Sequence, residues 1–246
     1  AIRTFCEAVE AQIDLSRELA NNRRFARDFE EDGDIEVPDV HPDACCESVL
    51  TMAFVDGVPE SELVARGLDV DQIVRSGLRG VCRMIFHNGF VHADLHPGNL
   101  RFLPPGRIVA LDLGLVGEID DHDRLTTARM LFALATGDGP TVARIFHDES
   151  PNPRPTDYAT YEREMSAFVD HVRVQGLGNL QVSVEIGRIF DILRRHHIQA
   201  RAHMTMVNLA IMTAEGLSKR LAPDVVLAEE VLPYLAEALG LSLIHI

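Results

Sequence analysis

The segment His92-Ala93-Asp94-Leu95-His96-Pro97-Gly98-Asn99 is followed, after a short interval, by Asp112-Leu113-Gly114. The first puts an acid and an amide on one loop; the second supplies another acid. Asp94 and Asn99 are five positions apart, enough for a loop to turn and aim both side chains into one cleft. Between the segments, Leu100-Arg101-Phe102-Leu103, Pro104-Pro105-Gly106 and Arg107-Ile108-Val109-Ala110-Leu111 read as strand, turn and strand. A hairpin returns the chain to its start, so Asp112 is expected beside Asn99. Gly98 and Gly114 ease the sharp turns in the backbone.

Those residue types suit magnesium, which prefers hard oxygen ligands and usually takes one or two carboxylates together with substrate phosphates. Asn99 offers a neutral oxygen and Asp112 a charged one. One acid at the nucleophile, with an amide and a second acid on the metal, is the arrangement of kinase-type phosphoryl transfer. A lone H-x-D-x-x-x-x-N would be weak evidence. Followed by a hairpin and D-x-G, it outweighs the reading of a polar surface loop.

Composition sets the bounds. The chain has 246 residues, 46% of them hydrophobic, enough for a packed core. Its net charge of −15, from 38 acids against 23 bases, argues against nucleic acid as a partner. Cys6, Cys45, Cys46 and Cys82 form no C-x-x-C pair, which fits a reducing cytosol better than a disulfide framework. No apolar run is long enough to span a bilayer. The expected location is the cytoplasm, with peripheral attachment to the inner face of the membrane allowed.

The sole lysine is Lys219, far downstream of the candidate loop, and no G-x-G-x-x-G is present. A kinase-like site needs an upstream lysine on the α/β-phosphates and a covering loop. The chain therefore reads as a fragment that begins inside an N-lobe. Leu241-Ser242-Leu243-Ile244-His245-Ile246 reads as the translation of a transposase sequencing adapter, an appended scar outside the fold.

Along the chain, residues 2–30 read as one helix, 35–38 and 48–55 as strands, 60–66 as a short helix and 69–88 as a longer one. Everything after Asp112 reads as helical, near 121–136, 139–147, 155–175, 181–196, 199–219 and 224–239. The acidic run Glu118, Asp120, Asp121 and Asp123 suits a helix start. His87, His92 and His96 share no face for a metal, and His92 reads as a structural hydrogen bonder under the loop. Arg194-Arg195-His196-His197 reads as a solvated helix end. Met204, Met206, Val207, Leu209 and Ile211 read as core, with a membrane-docking or isoprenoid-docking face as the rarer reading.

His92 to Asn99 with D-x-G resembles the ABC1/UbiB (AarF, ADCK-like) atypical kinase family, whose loop reads H-A-D-x-H-P-G-N. Asp14-Leu15-Ser16-Arg17-Glu18-Leu19-Ala20-Asn21 is similar to the family's D-[YLF]-x-x-E-A-x-N helix. Val49 to Met52 through Asp56-Gly57 looks like its hinge strand, and Leu221-Ala222-Pro223-Asp224 like a late L-D-P-D element. The resemblance implies an α+β, protein-kinase-like fold: an incomplete N-lobe over 1–57, then a mostly helical C-lobe over 58–240 carrying the catalytic loop. It implies ATP and Mg2+ as cofactors, with Asp94 as the catalytic-loop acid and Asn99 and Asp112 as metal and nucleotide ligands. Glu18 would be the helix glutamate that pairs with the N-lobe lysine, and Met52, Ala53, Phe54 and Val55 the hinge that meets adenine. Asp14 matches the acid of the family's E-x-D element, whose first position here is Gln12, and Leu113 replaces the Phe of D-F-G. The implied role is ATP-dependent support of ubiquinone or related isoprenoid-quinone biosynthesis. Its implied partners are a nucleotide, an isoprenoid lipid or membrane surface, and quinone-biosynthesis proteins. Two alternatives stay open: a small-molecule phosphotransferase of the aminoglycoside or choline type, and a non-catalytic, ATP-responsive, lipid-binding scaffold.

Overall fold

The computed structural model describes residues 14–30, 33–151, 157–176 and 181–240. Residues 2–13 of the first expected helix, Gln12, and the expected adapter scar lie outside them. The helix itself runs Leu15–Asp28 (α1), with Asp14 as its N-cap accepting from Ser16 N at 3.0 Å. Asp14 therefore works as a cap. The Ser16 hydroxyl and then the Ser16 N–H hold its carboxyl below the usual range.

Two small sheets follow. Ile35–Glu36 (β1) runs parallel to Arg107–Ala110 (β4), which pairs antiparallel with Leu100–Leu103 (β3), in the order β1-β4-β3. The expected hairpin is present, with Leu100 opposite Ala110 and Leu103 opposite Arg107. The second sheet pairs Phe90–His92 (β2) with Val116–Glu118 (β5), His92 lying opposite Val116. That last strand corrects the all-helical expectation after Asp112. Three residues are too few to show an alternating pattern, and this strand exists because β2 offers it an edge.

The expected strand over 48–55 is also corrected. Only isolated bridges, Val40 to Met52 and Cys46 to Val49, form there, with His41 N donating to Thr51 O at 2.9 Å and Ala53 N to Asp39 O at 2.7 Å. Pro38 and Pro42 flank the partner segment and have no N–H to extend a ladder. Residues 60–66 contain a single 3-10 turn, Glu60–Glu62, that seats Leu63 in the core.

Val70–Arg83 (α2), capped by Asp69, continues into a π-turn over Met84–Asn88, and Ile73, Leu78, Val81, Ile85 and Phe86 are all buried as the periodicity predicts. Gly89 then reverses the chain with φ +59°, and a Cβ there would lie 2.3 Å from Ile119 O, so only glycine fits. The later helices fall close to expectation: Asp121–Thr136 (α3), Gly139–Asp148 (α4), Tyr158–Gln175 (α5), Val182–Arg195 (α6), Ala202–Leu221 (α7) and Leu227–Ala238 (α8). Asp120 caps α3 through Asp123 N at 2.7 Å, as the acidic run implied. Leu209 departs from the core reading: it is 40% exposed. His196 is not solvated either, packing against the Tyr161 ring at 5.4 Å.

Packing does not break at residue 57. One hydrophobic cluster joins Phe25, Phe29 and Ile35 to Leu100, Phe102, Leu113 and Val207. A second cluster, centred on Tyr161, Met165 and Val169, holds α3 to α6 together. None of the described helices is long and apolar enough to cross a membrane.

Candidate functional site

The loop from His92 to Asn99 and the segment from Leu111 to Leu115 are joined at both ends. At one end, β2 pairs with β5 and Ala93 N donates to Leu115 O at 3.1 Å. At the other, β3 pairs with β4 and Leu111 N donates to Asn99 O at 2.8 Å. The expected return of Asp112 toward Asn99 is therefore a consequence of ladder register.

Between these pins, Asp94 and Asp112 are exposed and Asn99 is half-buried. Asn99 Nδ2 donates toward Asp94 O at 3.3 Å and Asp94 Oδ2 at 3.4 Å. Its amide nitrogen is thereby turned toward Asp94, which leaves Asn99 Oδ1 free to act as a ligand. Asp112 Oδ1 accepts from Gly114 N at 2.7 Å, and its second oxygen is uncommitted. His96 Nδ1 accepts from Gly98 N at 3.1 Å and shapes the turn before Asn99.

The exposed acids stand on buried supports. His92 is completely buried, and its Nδ1 accepts from Asp94 N at 3.1 Å. The neutral ring then carries its proton on Nε2. Burial pushes the His92 pKa down, against the carbonyl of Asp112 and the carboxylates of Asp112 and Asp94, which favour the charged ring. His92 is the structural hydrogen bonder expected from the sequence, and it touches both halves of the site.

From the other side, α1 grips Leu113. Glu18 Oε1 accepts from Leu113 N at 3.2 Å, and Asn21 Nδ2 donates to Leu113 O at 2.9 Å. Side chains three apart on a helix share a face, so one turn of α1 holds both backbone polar groups of a single residue, Leu113. Burial raises the Glu18 pKa; the Leu113 N–H lowers it and the Asp112 charge raises it. Among the described residues no cationic side chain pairs with Glu18. The Asn21 contact was not legible in the sequence, although the similarity of its helix to a known pattern had drawn attention to it.

The expected hinge is less well formed. The Ala53 N–H is already given to Asp39 O, Met52 sits in the bridge to Val40, and Phe54 is 92% exposed. Among the described residues no hydrogen bond joins Met52, Ala53, Phe54 or Val55 to Asp94, Asn99 or Asp112. The chain's lysine is also elsewhere: Lys219 Nζ lies 2.6 Å from Glu215 Oε1 on α7.

One other group could suggest a metal. Oxygen and nitrogen atoms of His122, Asp123 and Glu149 lie within 4.8 Å of one another. Arg201 Nη1 stands 3.1 Å from Asp123 Oδ1 and 2.9 Å from Glu149 Oε2, so a guanidinium already compensates the acids there.

Residues 1–146 match the model of the ABC1 atypical kinase-like domain. The chain belongs to that family. Residues 165–226 match the UbiB helical domain, which covers α6, α7 and most of α5. In fold, this ABC1 protein is similar to Rv3197 from Mycobacterium tuberculosis, whose structure was solved as a complex with erythromycin. The TM-score is 0.57 at 19% identity, over 90% of this chain and 61% of that one. The ABC1 chain thus has a kinase-like α+β fold and spans about three-fifths of the length of that structure, 61%.

Proposed function

We propose that this ABC1 chain carries the metal-binding half of a Mg-ATP site, with Asn99 and Asp112 as the metal ligands and Asp94 as the acid facing the phosphoryl acceptor. The observation that carries this reading is the double pinning of the 92–99 loop to the 111–115 segment, with Asn99 Oδ1 and one Asp112 oxygen left uncommitted. A neutral and an anionic hard oxygen fit magnesium. The ion, when bound, would neutralise charge on the transferring phosphate. Glu18 supports the site by fixing the Leu113 peptide and stands ready to pair with a phosphate-binding lysine. Lys219 cannot be that lysine, being on α7 with Glu215. Met52 to Val55 are the proposed adenine-side segment, in which the exposed Phe54 ring is the surface offered to the base.

The biological role we propose is ATP-dependent support of isoprenoid-quinone biosynthesis, in keeping with the ABC1 and UbiB domain matches. Quinone-pathway proteins and an isoprenoid lipid or membrane surface are the proposed partners. The Glu18–Asn21 grip on Leu113 favours this over a small-molecule phosphotransferase of the aminoglycoside or choline type.

Mn2+ can stand in for magnesium as a paramagnetic probe. It should broaden the amide signals of residues 94–99 and 112–114, and Asp112→Asn should weaken metal affinity at least tenfold. Unchanged affinity in Asp112→Asn, or broadening confined to other regions, would overturn the assignment.

A further inference from the structure

The helical half of the molecule surrounds a partly open cavity of about 180 Å³, none of whose lining residues belongs to the loop that carries Asp94. Its walls come from α2 and the π-turn after it and from α3, α4, α5, α6, α7 and α8, and include Cys82, Leu134, Phe168, Ile189 and Leu235. Almost all of that lining is aliphatic or aromatic. An apolar cavity of about 150 Å³ stays dry and takes up benzene. Drug-sized sites begin at about 300 Å³. The size thus selects a guest of about six to eight carbons.

Several features separate this space from a packing fault. Small residues, Ala135 on α3 and Ala214 on α7, keep it open from two different helices. The lining includes the nine-tenths buried carboxylate of Glu185, whose two oxygens share a single donor, Arg188 Nη1, at 3.1 Å each. A carboxylate has about four acceptor positions, so capacity remains for a donor inside the cavity. Asn208 also lines it, and its side-chain amide makes no hydrogen bond among the described residues. Burial pushes the Cys82 thiol up to about 12, as expected of a group facing a dry, apolar interior. Phe190 of α6, one of the lining residues, is 37% exposed, so the space is reachable from solvent along that helix.

We infer that this cavity is a binding site for a small amphiphile: a compact hydrocarbon of about six to eight carbons bearing a hydrogen-bond donor that is received by Glu185. The site is independent of the metal-binding reading given above, because no residue is shared between them.

Hexan-1-ol and n-hexane are suitable probes, titrated into the 246-residue chain by calorimetry and by chemical-shift perturbation. Saturable one-site binding of hexan-1-ol is expected, with shifts at residues of α3, α6 and α7. Ala135→Phe should fill the space and weaken that binding at least tenfold. Ala214→Leu fills it from another helix and serves if the first variant does not fold. Glu185→Met should lower the ratio of hexan-1-ol to n-hexane affinity at least threefold. Absence of saturable binding, or full affinity in a folded filled variant, overturns the site. An unchanged ratio in Glu185→Met overturns the donor-bearing ligand and leaves a bare hydrocarbon chain, such as a lipid tail, as the occupant.

Discussion

Replacing Glu18 with alanine tests whether α1 really holds the D-L-G segment. The substitution removes the acceptor for Leu113 N, and the Leu113 side chain is only 1% exposed. An orphaned buried N–H costs about 1–3 kcal/mol, and a hydrogen bond to a charged group is worth a similar amount. Against this, removal of the half-buried carboxylate relieves its own burial penalty and its repulsion from Asp112. The net expectation is a loss of about 1–2 kcal/mol. Glu18→Gln keeps an acceptor and sheds the charge, so it should cost under about 0.5 kcal/mol. Asn21→Ala strips the partner of the other backbone group of Leu113 and should cost about 1 kcal/mol. The double variant should be non-additive by about 0.5–1 kcal/mol, because both side chains act on one unit. Urea unfolding at constant m reads these differences.

The pH dependence supplies a second check on Glu18. Its folded pKa is raised above the ordinary 4.5, so the folded state holds the proton more tightly than the unfolded one. The corresponding stability is complete below pH 4.5 and disappears as the pH rises through the higher folded value. Wild type should therefore lose stability relative to Glu18→Gln on going from acid toward neutral pH. A Glu18→Gln variant as damaged as Glu18→Ala, or no loss in either, would refute the grip.

Other substitutions probe the supports separately. Burial lowers the His92 pKa, so its stabilising effect is present above pH 6.5 and is lost as the pH falls toward the folded value; His92→Gln should flatten the slope of a stability–pH curve below pH 6.5. Gly89→Ala must adopt φ +59° and meet Ile119 O, and should lower stability by about 2 kcal/mol or more in a thermal melt. Glu215 accepts from Val182 N at 2.6 Å and Ser183 N at 3.0 Å, capping α6 from a neighbouring helix. Glu215→Ala should cost about 2 kcal/mol, and hydrogen exchange should rise first at the start of α6. Gly187, mid-helix in α6 with open space around its Cα, provides the opposite control: Gly187→Ala should stabilise by about 0.5–1 kcal/mol.

Most helices of the second half were readable because a clear stop precedes them. Gly137 and Asp138 fill the break expected between 136 and 139 and cap the helices on either side, whereas Asp157 caps α5 two residues inside the expected start at 155. The 100–110 hairpin was readable from its turn residues. The 48–55 segment misled because its β-branched and aromatic residues look like a strand, whereas pairing depends on a partner with donors to offer, and Pro38 and Pro42 remove two. β5 was invisible for the converse reason: its sequence is unremarkable and its structure comes from β2. The grip of Asn21 on Leu113 spans 92 positions, a contact no local pattern encodes.

The same distinction explains how the site is built. The residues proposed to meet metal or phosphate are exposed or, for Asn99, half-buried, so they add little to stability and do not hold a fixed geometry by packing alone. Their backbone is instead fixed by groups that are buried: the His92 ring beneath Asp94, and the Leu113 side chain beside Asp112. Leu113 provides that anchor without an aromatic ring, packing in one apolar cluster with Phe25 of α1 and Leu100 and Phe102 of the hairpin. A ligand set organised before the ion arrives does not have to lose loop entropy on binding. Loosening an anchor should therefore weaken metal affinity even though no ligand is touched. Leu113→Ala should show this as a loss of both stability and Mn2+ affinity, whereas Asp112→Asn should lose affinity with stability nearly unchanged. If the two variants behave alike, ligand chemistry and loop anchoring are not separate contributions, and the division between exposed ligands and buried anchors is wrong.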